Sequence, residues 1–326
     1  MRSVVYEAPG VVSVHQHAVP DIGPTDVLIR VDACGVCGSD LSSFAHGHYI
    51  DPGQVMGHEI AGTVAATGED FVGVRVGERV AVRPMRSCGE CPYCRDGDTH
   101  LCDNTRGPSL GYGTPGGFAE YVVIQDAVSG DDVIGVPSAV DPYDLLWAEP
   151  LAVALHALDR LQRPVTELLI IGAGAVGLTI IAAATSLGMS VTVVEPLPER
   201  RRAAEGFGAR AFEPGPLDVE GLFEAAIDAS GVPAAVEANL PFLTVDAPIV
   251  LVGLGDREVA FPAEGREIRG AFAYRQPDFV RAVELIVGGT VRLGECVSQR
   301  WALEDAALAL RGPAGGLTVI KAALAP

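Results

Sequence analysis

The 326-residue sequence predicts an α/β fold in two domains, a doubly wound parallel sheet joined to a β-rich unit. Up to about residue 140, short strands such as DVLIRVDA, IAGTVAATG, ERVAVRP and FAEYVVI are broken by Gly, Pro and Asp. From DPYDLLWAEPLAVALHALDRL onward, the buried runs LLII, VTVVE, AAIDAS and PIVLVGLG alternate with helical stretches, as in a parallel sheet. A glycine cluster, GAGAVG, stands between the first of those strands and its helix. After about residue 262, REIRGAFAY reads as a strand, PDFVRAVELIVGG as a helix and the tail as mixed.

Composition narrows the partners. A formal charge of −19 repels nucleic acid and anionic membrane surfaces, and its plainest consequence is solubility. A single lysine, Lys321, stands among 23 basic residues and reads as compositional bias with no function attached. The opening MRSVVYEAPGVVSV lacks the apolar core of a signal peptide and reads as a strand, so a cytoplasmic protein is expected. The uncharged run from Leu168 to Val194 has the length of a membrane span. Its grammar is strand, glycine turn, alanine-rich helix and strand, which makes it a buried core.

GAGAVG, Gly172 to Gly177, follows a strand and opens a helix. In a Rossmann-type unit Gly172 makes the tight turn, Gly174 lets the backbone approach a pyrophosphate, and Gly177 lets helix pack on strand. Ala175 and Val176 open the helix whose free N–H groups and positive dipole end face the phosphates. Glu195 ends the next strand, 23 residues after Gly172. A carboxylate there accepts from the ribose hydroxyls and repels a 2′-phosphate, so NAD is preferred over NADP. Arg200, Arg201 and Arg202 nearby read as a solvated helix start.

Six of the seven cysteines fall in two clusters. Cys88, Cys91, Cys94 and Cys102 have the spacing C-x2-C-x2-C-x7-C, which saturates a tetrahedral zinc in a closed, structural site. An iron–sulfur cluster and idle thiols are the alternatives. Cys34 and Cys37 in CGVCGSD read as a redox pair, a metal half-site or core residues. His58 and Glu59 follow in GHEIAG, and Cys37 with His58 and a third ligand leaves zinc one open position.

At these residues the chain resembles the medium-chain, zinc-dependent alcohol and polyol dehydrogenases over essentially its whole length. CGVCGSD is similar to that family's catalytic-zinc cysteine motif, GHEIAG to its His-Glu motif, and the four-cysteine lobe, GGFAEYVVI and IIGAGAVGL appear in family order. The resemblance implies a β-rich GroES-like catalytic domain over residues 1–149 and 276–326, and a Rossmann domain over 150–275. It also implies Cys37 as ligand, Ser39 as the hydroxyl on the substrate oxygen, and no metal role for Cys34. No cysteine lies between Cys102 and Cys296. WAEPLAVALHAL instead resembles the Glu-Pro-Leu motif of sorbitol- and threonine-dehydrogenase-like members, so Glu149 is the candidate further ligand, with Glu59 binding directly or exchanging with water. Alone, Glu149 reads as a carboxylate at a helix N-terminus. The family's relay histidine is replaced by Ser42, with His46 and His48 as substitutes or pocket residues.

The implied reaction is oxidation of a secondary alcohol to a ketone, with zinc as Lewis acid, NAD as hydride acceptor, and Ser39, His46 and Glu59 at the chemistry. A polyol, sugar or (amino)cyclitol is the expected substrate, with Phe44 and Arg275 as further pocket residues. Two zinc ions per chain and a homodimer or homotetramer are implied by the family. A dithiol redox protein using Cys34 and Cys37, or a non-catalytic NAD sensor with structural zinc, are the competing readings.

Overall fold

The computed structural model describes residues 1–253, 266–311 and 321–326. The last two residues of PIVLVGLG and part of the mixed tail lie outside these. The chain forms two compact units, Met1–Glu149 with Arg275–Pro326, and Pro150–Tyr274.

In the first unit, β1 (Arg2–Ala8) and β2 (Val11–Gln16) form a hairpin. Then come β3 (Val27–Val36), α1 (Gly38–His46), β4 (Glu59–Thr67), β5 (Arg79–Val82), α2 (Pro92–Arg95), β6 (Tyr121–Ile124), β7 (Val133–Val136) and α3 (Pro142–Leu145). Alternation in VLIRV puts Val27, Ile29 and Val31 into the core while Arg30 faces out. α4 (Ala148–Asp159) then leads into the second unit.

That unit contains β8 (Glu167–Ile171), α5 (Ala175–Ser186), β9 (Ser190–Val194), α6 (Pro198–Gly206), β10 (Arg210–Phe212), β11 (Ala225–Asp228), α7 (Pro233–Asn239), β12 (Ile249–Leu251) and β13 (Ile268–Gly270). All six strands run parallel in the order β10-β9-β8-β11-β12-β13. The chain enters at the centre, winds outward to β10, then returns beside β8. Such a reversal opens a crevice at the strand ends where dinucleotides bind. LLII and VTVV are apolar without alternation because helices cover both faces of a parallel sheet. Among the described residues no helix is long and apolar enough to cross a membrane.

The return to the first unit adds α8 (Gln276–Val287), β14 (Val297–Ala302), α9 (Ala306–Leu310) and β15 (Lys321–Ala325). β15 pairs with β14 and with β3, giving a seven-stranded sheet in the order β14-β15-β3-β4-β5-β7, with β6 also on β3. Distant parts of the sequence thus meet across one row, where Ala323 lies opposite Gly35 and Gly35 opposite Glu59.

Candidate active site and metal centres

Cys37 is the N-cap of α1, and its N–H donates to Asp40 Oδ2 at 2.9 Å. That cap fixes the helix start and aims the cysteine. Asp40 is buried and turns its other oxygen to His58 Nδ1 at 3.6 Å, too long for a hydrogen bond. His58 Nδ1 is a buried polar atom without a hydrogen-bond partner. His58 and Glu59 enter together because β4 starts at Glu59 beside the end of β3. One donor atom each from Cys37, His58 and Glu59 lies within 4.8 Å of the others. A thiolate, an imidazole and a carboxylate at that separation are a zinc donor set, and a carboxylate facing a ring nitrogen is how a metal-ligating histidine is oriented.

Electrostatics favour a cation there. Burial disfavours charge on His58, Tyr112 and Asp40 favour it, and the net direction is well upward. Glu149, in the first turn of α4, has its carboxyl pushed up to about 7 by burial, with His58 and Lys321 pulling down and Glu59 pushing up. Lys321 is buried against both oxygens of Glu59. Burial opposes its charge, but Glu59 and Cys37 outweigh that and hold its ammonium above the usual value. The single lysine, which reads in the sequence as compositional bias, is thus the buried ion-pair partner of Glu59.

The Ser39 hydroxyl lies 3.5 Å from His58 Nε2 and 2.9 Å from the Tyr112 phenol. Tyr112 also covers the His58 ring, with centroids 5.1 Å apart, and burial pushes its phenol further above the usual range. Sequence reading missed Tyr112, which sits among glycines after the cysteine lobe without a spacing that marks it. The structure places the other pocket candidates differently. Phe44 is in the apolar core, packed away from solvent. Arg275 pairs with Asp98 of the cysteine lobe at 2.8 Å. His46 and His48 are exposed at the far end of α1, and Ser42 Oγ meets His48 Nδ1 at 3.0 Å. Cys34 is fully buried, and burial, Asp40 and Glu59 push its thiol well up, the reverse of a redox nucleophile.

The four cysteines of the lobe converge as a second cluster, their sulfurs within 4.8 Å of one another. Cys91–Cys94 and Cys102–Cys88 are 3.5 Å apart and Cys88–Cys94 3.9 Å. A zinc–sulfur tetrahedron with bonds of about 2.3 Å has edges of about 3.8 Å. Backbone N–H groups of Cys88, Cys91 and Asn104 point at the sulfurs. Hydrogen bonding from Asp103 and Cys94 backbone lowers the Cys91 thiol to about 7, whereas burial raises Cys102 to about 11.

In the second unit Gly172 follows β8 with φ +93, and a Cβ there would sit 3.0 Å from Ser230. A Cβ on Gly177 would sit 2.1 Å from the Gly172 carbonyl oxygen, so this glycine serves packing. Gly174 differs. A Cβ there meets nothing nearer than an Arg200 guanidinium nitrogen at 3.9 Å. The fold itself does not need that glycine, whereas a phosphate approaching the backbone would. Gly174, Ala175 and Val176 are partly exposed at the start of α5. Glu195 is buried and accepts from Ala173 N–H at 2.7 Å and Leu197 N–H at 3.0 Å, which ties it to the glycine turn. Arg201 is occupied by Glu213 and by the carbonyls of Glu195 and Pro196.

Residues 23–137 match the family model of the alcohol dehydrogenase GroES-like domain and residues 175–288 that of the zinc-binding dehydrogenases. The chain is 32% identical to a 2-dehydro-3-deoxy-L-galactonate 5-dehydrogenase from Pseudoalteromonas atlantica, over 95% of this chain and 94% of that protein. It is 29% identical to a sorbitol dehydrogenase from Bacillus subtilis, over 94% and 91%. A zinc-binding dehydrogenase from Sinorhizobium meliloti 1021, solved bound to NADP, superposes with a TM-score of 0.92 at 28% identity, covering 100% of this chain and 99% of that one.

Proposed function

The chain belongs to the zinc-binding dehydrogenases that carry an alcohol dehydrogenase GroES-like domain, and from that premise we propose how its residues divide the work. It is an oxidoreductase acting on secondary alcohols, with zinc and a nicotinamide cofactor. The first unit carries two zinc ions, a catalytic one at Cys37 and His58 with Glu59 and Glu149 alongside, and a structural one in the four-cysteine lobe. The second unit binds NAD, with the pyrophosphate against Gly174, Ala175 and Val176 and the ribose on Glu195.

Zinc at the open centre supplies a Lewis acid that favours deprotonation of the substrate hydroxyl. The chain's own groups do the rest. Ser39 Oγ would take the hydroxyl proton while giving up its own, and a bound nicotinamide would accept hydride from the carbon that carries the hydroxyl. Alcohol and NAD⁺ thereby give ketone, NADH and a proton. Burial keeps the Tyr112 phenol protonated, and the hydrogen bond it shares with Ser39 Oγ fixes that oxygen. Further along α1, Ser42 Oγ lies 3.0 Å from His48 Nδ1 with His46 beside it, and these exposed groups are assigned to the proton's release to solvent. Asp40 keeps the Cys37 cap and the His58 ring in place.

The substrate is a polyhydroxylated compound, a polyol, sugar or cyclitol. The names of the sorbitol and deoxygalactonate dehydrogenases support this class. The convergence of Cys37, His58 and Glu59 within 4.8 Å beside the Ser39 hydroxyl carries the reading. The test is zinc-loaded protein assayed on polyols, sugars, cyclitols and aminocyclitols with NAD and with NADP. Turnover faster with NAD supports the assignment, and absence of reduced cofactor with every substrate overturns it.

A further inference from the structure

Glu59 belongs both to a cluster of metal-ligating side chains and to a buried ion pair. One of its oxygens lies within 4.8 Å of the Cys37 and His58 donor atoms. Lys321, 262 positions away, contacts both oxygens. Both residues are almost completely buried, at 0% and 2% exposure. Burying an ammonium is costly without a partner, and this one has a built seat. Its Nζ lies 5.1 Å above the ring centroid of Trp147, itself fully buried two residues before Glu149. Gly35 leaves the notch through which the pair meets. A Cβ there would fall 2.0 Å from Glu59 Oε2 and 3.0 Å from Lys321 Cε.

We propose that Lys321 is a positioning residue that holds the Glu59 carboxylate at the edge of the catalytic metal's reach, so that Glu59 balances charge without closing the coordination position the substrate needs. This rests on the catalytic-zinc reading above. Asp40 and Glu59 are buried carboxylates at the centre, and Lys321 is the buried cation held against Glu59. A compact ammonium with three donors can grip both carboxylate oxygens at once. Without it, the buried Glu59 has one cation left to turn to, the metal. A further carboxylate on the metal lowers its Lewis acidity and occupies the open site.

The experiment uses the full chain loaded with Co²⁺ in place of zinc, with Lys321→Met, Lys321→Arg, Glu59→Gln and the Lys321→Met/Glu59→Gln pair. Lys321→Met is expected to weaken the visible cobalt absorption, as added coordination does, and to slow metal release to a chelator. Its kcat should fall about tenfold to a hundredfold, the usual scale for groups that orient metal ligands. Lys321→Arg and the double variant should restore the cobalt spectrum. A Lys321→Met protein with the parent's spectrum, release rate and kcat overturns the proposal. If that variant does not fold, Glu59→Gln decides. Full metal content with the parent's spectrum supports it, and loss of the metal overturns it by making Glu59 an essential ligand. Parent protein that binds metal only in the four-cysteine lobe fails at an earlier point, because that result sinks the function itself.

Discussion

Ser39 Oγ and the Tyr112 phenol oxygen meet at 2.9 Å, joining the start of α1 to the loop that follows the cysteine lobe. That bond pins the hydroxyl proposed to take the substrate proton. Ser39→Ala should therefore lower kcat by about 100-fold to 10,000-fold, the range for losing a positioned proton acceptor. Zinc content and NAD affinity should stay unchanged, as measured by elemental analysis and fluorescence titration. Tyr112→Phe removes one hydrogen bond, worth about 1 kcal/mol. A roughly fivefold loss in kcat with little change in KM is expected.

The glycine turn separates binding from stability. Gly174→Ala adds only a Cβ, in space the protein leaves open, so the melting temperature should nearly hold while KM for the cofactor rises. Gly177→Ala drives a methyl group to 2.1 Å from the Gly172 carbonyl oxygen, so it should lower the melting temperature as well. If both variants lose stability equally, the open space at Gly174 is not a phosphate seat.

In the cysteine lobe, Cys94→Ser should reduce bound zinc from two per chain to one and lower thermal stability by several kcal/mol, since metal binding there is folding free energy. Zinc counted before and after chelation, with calorimetry alongside, gives the answer. A variant that keeps both ions would show the lobe is held by something other than four thiolates.

A pH effect is expected far from the chemistry. Glu120 accepts from the Arg2 backbone N–H and guanidinium, which lowers its carboxyl, the backbone bond acting most strongly. A depressed folded-state value means the stability is present above the ordinary value of about 4.3 and is lost as pH falls through the folded one. Both side chains are partly exposed, so Glu120→Gln should cost no more than about 1 kcal/mol at neutral pH. The variant and parent should converge in acid. Denaturant midpoints at the two pH values would reveal any difference that persists.

How much of this was legible in the sequence depended on distance along the chain. The cysteine lobe and GAGAVG declare themselves because ligands or turn residues lie within one short segment. Cys37, His58 and Glu59 were legible in two motifs whose meeting depends on the pairing of β3 with β4. Lys321 was invisible, since nothing near it in sequence marks a partner and a lone lysine in an arginine-rich chain looks like usage bias. Tyr112 had no periodicity to expose it. Phe44 and Arg275 misled for the opposite reason, as loop position alone suggested a pocket where the fold supplies a core and an ion pair.

β15 carries one last implication, for how the protein is made. The ribosome delivers the acid of the Glu59–Lys321 pair long before the base, with the whole second unit translated in between. Until the late strand slides in beside β3, Glu59 lacks the cation that balances it in the finished sheet. The second unit, whose strands are contiguous in sequence, can settle first, while its sibling waits half-built and in need of protection from aggregation.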